Sequence, residues 1–353
     1  MGAAVGGDAI APTAVERWLF EHVPPQPRDS PRGLYELMAR QRNGQLAFVD
    51  VPYDAWREEH WADAARVADY AAQLPAGGTA VLDIGPGDGW PALPLAVACP
   101  EQLVVGVDAS PRRVARCTAN ARRLGVANAC FVAGDAARLP FADASFDLVT
   151  AASSLEEAAA PEAAFAEALR VLRPGGVLRA SYQDWRLGGA GFETAWLWEA
   201  DGTLLYSYVR RVQEPPRERR YTLALAAGAE AAALHGEALA AAALAPRAYG
   251  ETLLSEALGV ALLERLRPHV RGSWVVELAR WRTAALVEAL GRAGFVQVRA
   301  TVHPGELGRR FARELLARGA MPAMAPQFAE ATRALGRLAA SQAGDAMVRA
   351  VRP

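Results

Sequence analysis

The feature that most constrains this chain is a strict alternation of short apolar runs and helical stretches between Ala80 and Ser181. Strands are expected at Ala80–Ile84, Leu103–Val107, Cys130–Ala133, Phe146–Ala151 and Gly176–Ser181. Helices are expected between them at Trp90–Ala98, Pro111–Leu124 and Pro161–Leu172, with Pro111 and Pro161 suited to a first helical turn. Repeated strand–helix alternation of this kind builds a parallel sheet covered by helices on both faces.

Outside that stretch the pattern changes. The first segment, to about Pro31, is rich in Gly, Ala and Pro and reads as loosely ordered. From Gly33 to Leu74 the spacing is helical, with breaks near Asn43-Gly44 and Val51-Pro52. Thr194–Trp198, Leu204–Arg211 and Arg220–Leu225 read as antiparallel strands, with Asp201-Gly202 as a hairpin turn. Alanine-rich helical sequence then runs to Leu266. Arg280–Ala293 reads as a helix ending at Gly294, Phe295–Thr301 as a strand, Pro304–Ala339 as helical and Ala346–Val351 as a closing strand. The expected organisation is therefore a helical lid segment at 1–78, a core at 79–182, a β/α insert at 183–279 and the end of the core sheet at 280–353. The last carries a helical insert at 304–339.

Composition removes several classes of function. The 353 residues carry a formal net charge of −1, so no overall field attracts a nucleic acid. Every Lys-or-Arg position is arginine, which the composition of a GC-rich gene explains, and no lysine base or Schiff base is available. Cys99, Cys117 and Cys130 lie far apart without a CxxC pair, so neither a disulfide framework nor a zinc site is expected, and no metal. No secretory leader or membrane span is read, and a soluble cytoplasmic protein is the expectation.

The chemistry concentrates in three blocks. In Asp83-Ile-Gly85-Pro86-Gly87-Asp-Gly89, between a strand and a helix, glycines let the backbone turn tightly and approach a ligand. The same signal could mark a plain tight turn or a nicotinamide dinucleotide site. Against the latter, Trp90 stands where the dinucleotide fingerprint needs a small residue, and Asp83 suits a cationic ammonium better than a pyrophosphate. The second block, Val104-Val-Gly-Val-Asp108-Ala109-Ser110, ends a strand on a carboxylate able to accept from a ribose diol; capping of the next helix is the plainer role for Ser110. The third is Gly134-Asp135-Ala136, where Asp135 alone would be only a turn residue.

Together these blocks resemble class I S-adenosylmethionine (SAM)-dependent methyltransferases, especially the branch of ubiquinone/menaquinone-biosynthesis C-methyltransferases and related small-molecule enzymes. The likeness is dense from Ala80 to Ser181; Arg173-Pro-Gly-Gly176, Ala293-Gly-Phe295 and the terminal Arg352-Pro353 match later parts of the family pattern. The resemblance implies an α/β, Rossmann-like, seven-stranded mostly parallel sheet with an inserted antiparallel β and helical region. It implies SAM as cofactor and S-adenosylhomocysteine as product. By position, Asp83 and the loop Gly85, Pro86, Gly87 and Gly89 would hold the methionine end. Asp108, Ala109 and Ser110 would take the ribose, Gly134, Asp135 and Ala136 the adenine, and Ser153 would border the sulfonium. Tyr53 and His60-Trp61 resemble lid residues, although core packing is an equal reading for Trp61.

The chain departs from the family after the fourth strand. It reads Ser154-Leu-Glu156-Glu157 where relatives often carry histidine, which weakens a quinone assignment. No Asn/Asp-Pro-Pro-Tyr motif and no cysteine stand there. Catalytic candidates beyond the strand ends are Glu156, Tyr182, Asp184 and His303, each with a bland alternative as helix cap or pocket wall. Trp185, Trp196, Trp198, Tyr206, Tyr208 and Trp274 either wall an acceptor site or pack the inserted sheet or a homodimer interface. The expected function is methyl transfer to a small molecule; a protein or RNA methyltransferase and a SAM-fold binding protein without transfer are the alternatives.

Overall fold

A computed structural model describes residues 11–28, 41–42, 45–46, 50–185, 191–200, 203–212, 216–226, 228–244 and 256–353. The chain divides into two compact units, one of residues 40–185 with 280–353 and one of residues 1–39 with 186–279. The amino-terminal segment is thus shared between them.

In chain order the main elements are α1 (Ala14–His22), β1 (Gln26–Pro27), β2 (Gln41–Arg42), β3 (Gln45–Leu46), α2 (Glu58–Ala72), β4 (Ala80–Ile84), α3 (Ala92–Ala98), β5 (Leu103–Asp108), α4 (Pro111–Leu124), β6 (Ala129–Ala133), β7 (Phe146–Ala152), α5 (Pro161–Val171) and β8 (Leu172–Ser181). There follow β9 (Gly191–Ala200), β10 (Thr203–Val212), β11 (Arg217–Leu225), α6 (Ala229–Leu244), α7 (Val260–Leu266), β12 (Val270–Ala279), α8 (Thr283–Arg292), β13 (Val296–Thr301), α9 (Pro304–Ala317), α10 (Met321–Met324), α11 (Phe328–Ser341) and β14 (Met347–Val351).

The larger unit is built on a seven-stranded sheet in the order β13-β14-β8-β7-β4-β5-β6. Its central pairs are parallel, and β14 runs antiparallel between β8 and β13. This is the mostly parallel α/β sheet that the alternation required. Both faces are covered, which is why its strands read as unbroken apolar runs. Leu82, Val149 and Leu178 face a core shared with Phe165, Leu290 and Phe295. Val81, Leu148 and Val177 face the other, with Val67, Tyr70, Trp90 and Leu95.

Two helix starts differ from expectation. Trp90 donates its amide to the Pro86 carbonyl and belongs to the turn, so α3 begins only at Ala92. Helix α8 begins at Thr283, because Asp184 Oδ1 accepts the Thr283 amide and Trp281 bridges to Asp184. Helix α2 is tied to the sheet by a buried pair: Arg179 gives two hydrogen bonds to Asp69, at 2.7 and 3.0 Å, and one to Thr301 Oγ1. The helical stretch from Pro304 packs on α2 at close range. A Cβ on Gly308 would stand 2.4 Å from the Trp61 carbonyl oxygen, and one on Gly336 would stand 2.9 Å from the Asp69 nitrogen.

The smaller unit is a five-stranded sheet ordered β1-β12-β11-β10-β9, antiparallel except for β1. Asp201-Gly202 lies outside the described residues. The ordered helix α1 corrects the reading of the first segment: Thr13 and Glu16 form a capping box at its start. Glu16 is buried and also accepts from Tyr221 Oη at 2.8 Å and from Arg210. Strand β12 was not foreseen, since Arg271, Gly272 and Ser273 interrupt its apolar pattern. Tyr206 and Tyr208 are packing residues of this unit's own core, against Val15, Leu19 and Leu263. Their hydroxyls are spent on the Leu258 carbonyl and on Glu193, each at 2.7 Å, which removes these two from the expected acceptor wall.

Candidate functional site

Strand register decides where the site can be. Ile84 is level with Val107 and Ala151, Ala152 with Ser181, Ser181 with Met347, and Met347 with Thr301. Gly85, Asp108, Ser153, Tyr182 and His303 therefore all emerge at one edge of the sheet. Between β4 and β7 the chain order reverses, and ligands of open α/β sheets bind outside the carboxyl ends of the strands at such a point.

The glycine loop is braced by its neighbours. Gly85, Gly87 and Gly89 all have positive φ, at 73°, 59° and 118°, a region that favours glycine. A Cβ on Gly85 would meet the Ser154 Cβ at 2.5 Å. The Gly85 amide goes to the Val107 carbonyl at 2.8 Å, Cys117 donates its thiol to the Gly87 carbonyl and Asn120 donates to the Asp88 carbonyl. The buried Asp88 carboxylate accepts from Arg113 on α4.

Asp83 is placed differently from its expected role. It is fully buried; Oδ1 accepts from Thr150 Oγ1 at 2.9 Å and Oδ2 from the Ala92 amide at 3.0 Å. Burial pushes its carboxyl well above the usual carboxylate range. Asp83 thus ties β7 and the start of α3 together beneath the loop. Asp108 sits where the ribose contact was expected. Its Oδ2 accepts from the Gly87 amide at 3.1 Å and its Oδ1 from the Ser110 amide at 2.9 Å. Ser110 caps α4, with its hydroxyl accepting from Arg113 N, and Ala109 lies between.

At the next strand end, Gly134 donates to the Asp108 carbonyl, and a Cβ there would stand 2.9 Å from Val107 Cγ2. Asp135 is exposed and accepts from the Ala137 amide, while Ala136 packs on the core. Ser153, after β7, is exposed and holds a positive φ of 55°, an unusual conformation for a side-chain-bearing residue at a strand end. Its amide donates to the Ser181 carbonyl.

The catalytic candidates separate by environment. Glu156 is buried beside Ser181, Tyr182, Phe165 and Leu286, and Oε1 has no hydrogen-bond partner among the described residues. Burial, then the neighbouring Glu157, pushes its carboxyl up to about 8. Tyr182 is engaged: its hydroxyl is 2.8 Å from Thr283 Oγ1, which also donates within the pair Asp184 and Asp345. Asp184 is thereby a cap of α8. His303 precedes α9; burial, then Arg66, Arg179 and Arg309, pushes it down to about 3, so it is neutral.

One functional candidate was not visible in the sequence. Arg66 of α2 holds its guanidinium carbon 4.7 Å from the centre of the Trp90 ring. Arg66 Nε, the Tyr53 hydroxyl and His303 Nδ1 are buried without a hydrogen-bond partner among the described residues. His60 turns its Nδ1 to the Asp54 amide, and Trp61 is fully buried against Phe311 and Phe328, so Trp61 is core. Trp185 is buried with Arg280 5.4 Å from its ring, and Trp196 is 41% exposed; the Trp198 side chain lies outside the described residues. A positive-φ glycine loop and a strand-end carboxylate stand together at this end of the sheet, and Arg66, over the Trp90 ring, lies beside them.

Residues 82–180 match the family model described as "Methyltransferase domain". Over 150 residues, 38% of this chain and 55% of the relative, the chain is 36% identical to the 27-O-demethylrifamycin SV methyltransferase of Amycolatopsis mediterranei. It is 39% identical over 113 residues to a demethylmenaquinone methyltransferase of Roseiflexus castenholzii, covering 32% of this chain and 46% of that one. The chain spans about half the length of the curated relatives it matches. A solved SAM-bound amino pentose methyltransferase from Micromonospora echinaspora aligns over 83% of this chain and 92% of that one, at 18% identity and a TM-score of 0.43, too low to add weight. The segment from Leu82 to Ala180 thus matches a methyltransferase domain, and it supplies five of the seven strands of the sheet.

Proposed function

We propose that this protein transfers a methyl group from SAM to a small-molecule acceptor by in-line displacement. The observation that carries this reading is the positive-φ glycine loop Gly85–Gly89 bonded to Asp108, at the reversal point of the sheet. When bound, SAM supplies a methyl group on a positive sulfur, a leaving group that needs no proton. The protein's part is to hold the acceptor close to, and in line with, that methyl. Asp108, at the end of β5, takes the ribose hydroxyls. The backbone past Gly85 and the exposed Ser153 border the reacting end, and Gly134-Asp135-Ala136 the base.

A proton must leave only where the acceptor is a hydroxyl or an acidic carbon. For that step Glu156 is the group in place, because its carboxyl ionises near pH 8 and one oxygen is unpartnered. Tyr182 is held by Thr283, and a histidine that protonates only near pH 3 is too weak a base. Relatives named for demethylrifamycin and demethylmenaquinone support a small organic acceptor. The net charge of −1 disfavours a nucleic acid.

Methyl-labelled SAM incubated with the protein and separate pools of metabolites, peptides and RNA tests the reading. Label is expected in the metabolite pool; label confined to peptide or RNA overturns it. Calorimetry with S-adenosylhomocysteine should show binding, and its absence would remove the cofactor assignment altogether.

A further inference from the structure

We propose that Arg66, with the Tyr53 hydroxyl beside it, anchors the carboxylate of the cofactor's methionine end. The inference rests on the reading of this edge as a SAM site and assigns a residue that the motifs do not reach. Arg66 extends from α2, and its planar head is kept over the Trp90 indole, one residue beyond Gly89. Stacking on an aromatic face fixes the plane of a guanidinium and leaves its edge N–H groups to find acceptors.

Among the described residues, the neighbouring acceptors do not satisfy that edge. Asp63 is 3.7 Å from Nη1, beyond hydrogen-bond distance, and Nε has no partner among the described residues. The Tyr53 hydroxyl, whose ionisation is disfavoured by burial and shaped by Asp63, Arg66 and Asp50, also lacks a partner. His303 stands neutral on the remaining side, close enough to feel the charge of Arg66. A buried donor left without an acceptor is costly, and buried polar groups in folded proteins are almost always paired. A guanidinium fork and a neutral hydroxyl donor together match a carboxylate.

The test compares two ligands that share the nucleoside and thioether: S-adenosylhomocysteine, with the amino-acid carboxylate, and 5′-deoxy-5′-methylthioadenosine, without it. Calorimetric titrations use the full chain as wild type, Arg66→Gln, Arg66→Lys and Tyr53→Phe. Arg66→Gln is expected to lose about 30-fold in affinity for S-adenosylhomocysteine and to leave methylthioadenosine unchanged. Arg66→Lys, which keeps charge but loses the fork, should fall between, and Tyr53→Phe should lose about fivefold. Equal loss for both ligands would show a merely structural Arg66, and unchanged S-adenosylhomocysteine affinity would assign it to some other group; either overturns the inference. Wild type that binds neither ligand would instead sink the SAM reading itself.

Discussion

Asp108 shows how one carboxylate shapes a loop at the end of a strand. It accepts the Gly87 and Ser110 amides and so joins the glycine loop to the start of α4. Asp108→Ala should therefore weaken S-adenosylhomocysteine binding by about tenfold to a hundredfold in calorimetry, since charge-assisted bonds to the ribose and the Gly87 anchor are lost together. Glu156 gives a prediction of opposite character. Its folded carboxyl ionises near 8 against an ordinary 4.5, so the protonated form supports the fold at low pH and that support fades as pH rises between those values. Glu156→Gln should melt like wild type near pH 4.5 and higher than wild type, by about 5 °C, above pH 8. Equal melting at both pH values would refute the burial argument. Asp108 was legible because a carboxylate closing an apolar run lands at a strand end. Asp83 was legible as a position but not as a role, because the direction its oxygens face depends on Thr150, 67 residues away. Arg66 carried no signal, being one more arginine in a chain whose basic residues are all arginine.

Among elements, helix α2 depends most on polar contacts in the interior. Asp69 and Arg179 are both fully inaccessible, and burial raises the Asp69 carboxyl despite the arginine beside it. Removing one partner strands the other charge, so Asp69→Ala should cost about 3–5 kcal/mol in denaturant unfolding. Replacing both, as Asp69→Leu with Arg179→Met, should recover a large part of that loss. The strands and helices from Ala80 to Ser181 were readable because the central strands are buried on both faces and each helix begins at a proline or a cap. Strand β12 was not, because it draws its order from pairing with β11 along Arg217–Leu225, a partner about fifty residues upstream. Helix α1 had a readable sign in Thr13-x-x-Glu16, but Glu16 also serves Tyr221 and Arg210, which only the folded sheet brings near.

For the whole molecule, the decisive fact is where the chain leaves the larger unit and where it returns. Trp185 donates its amide to the Trp281 carbonyl at 3.0 Å, so departure and return lie side by side at the edge of the sheet. Joining residues 40–185 to 280–353 through a short Gly/Ser linker should therefore leave S-adenosylhomocysteine binding within about threefold of wild type, because no strand of the seven is cut. A linked form that does not fold, or that folds without binding, would show the cofactor site to depend on the other unit. Among the described residues no helix is long and apolar enough to cross a membrane. The paired departure and return carry a genetic meaning as well. One contiguous stretch of coding sequence between those two codons can be exchanged for another without cutting any of the seven strands, so the inserted unit is free to change while the sheet is inherited whole.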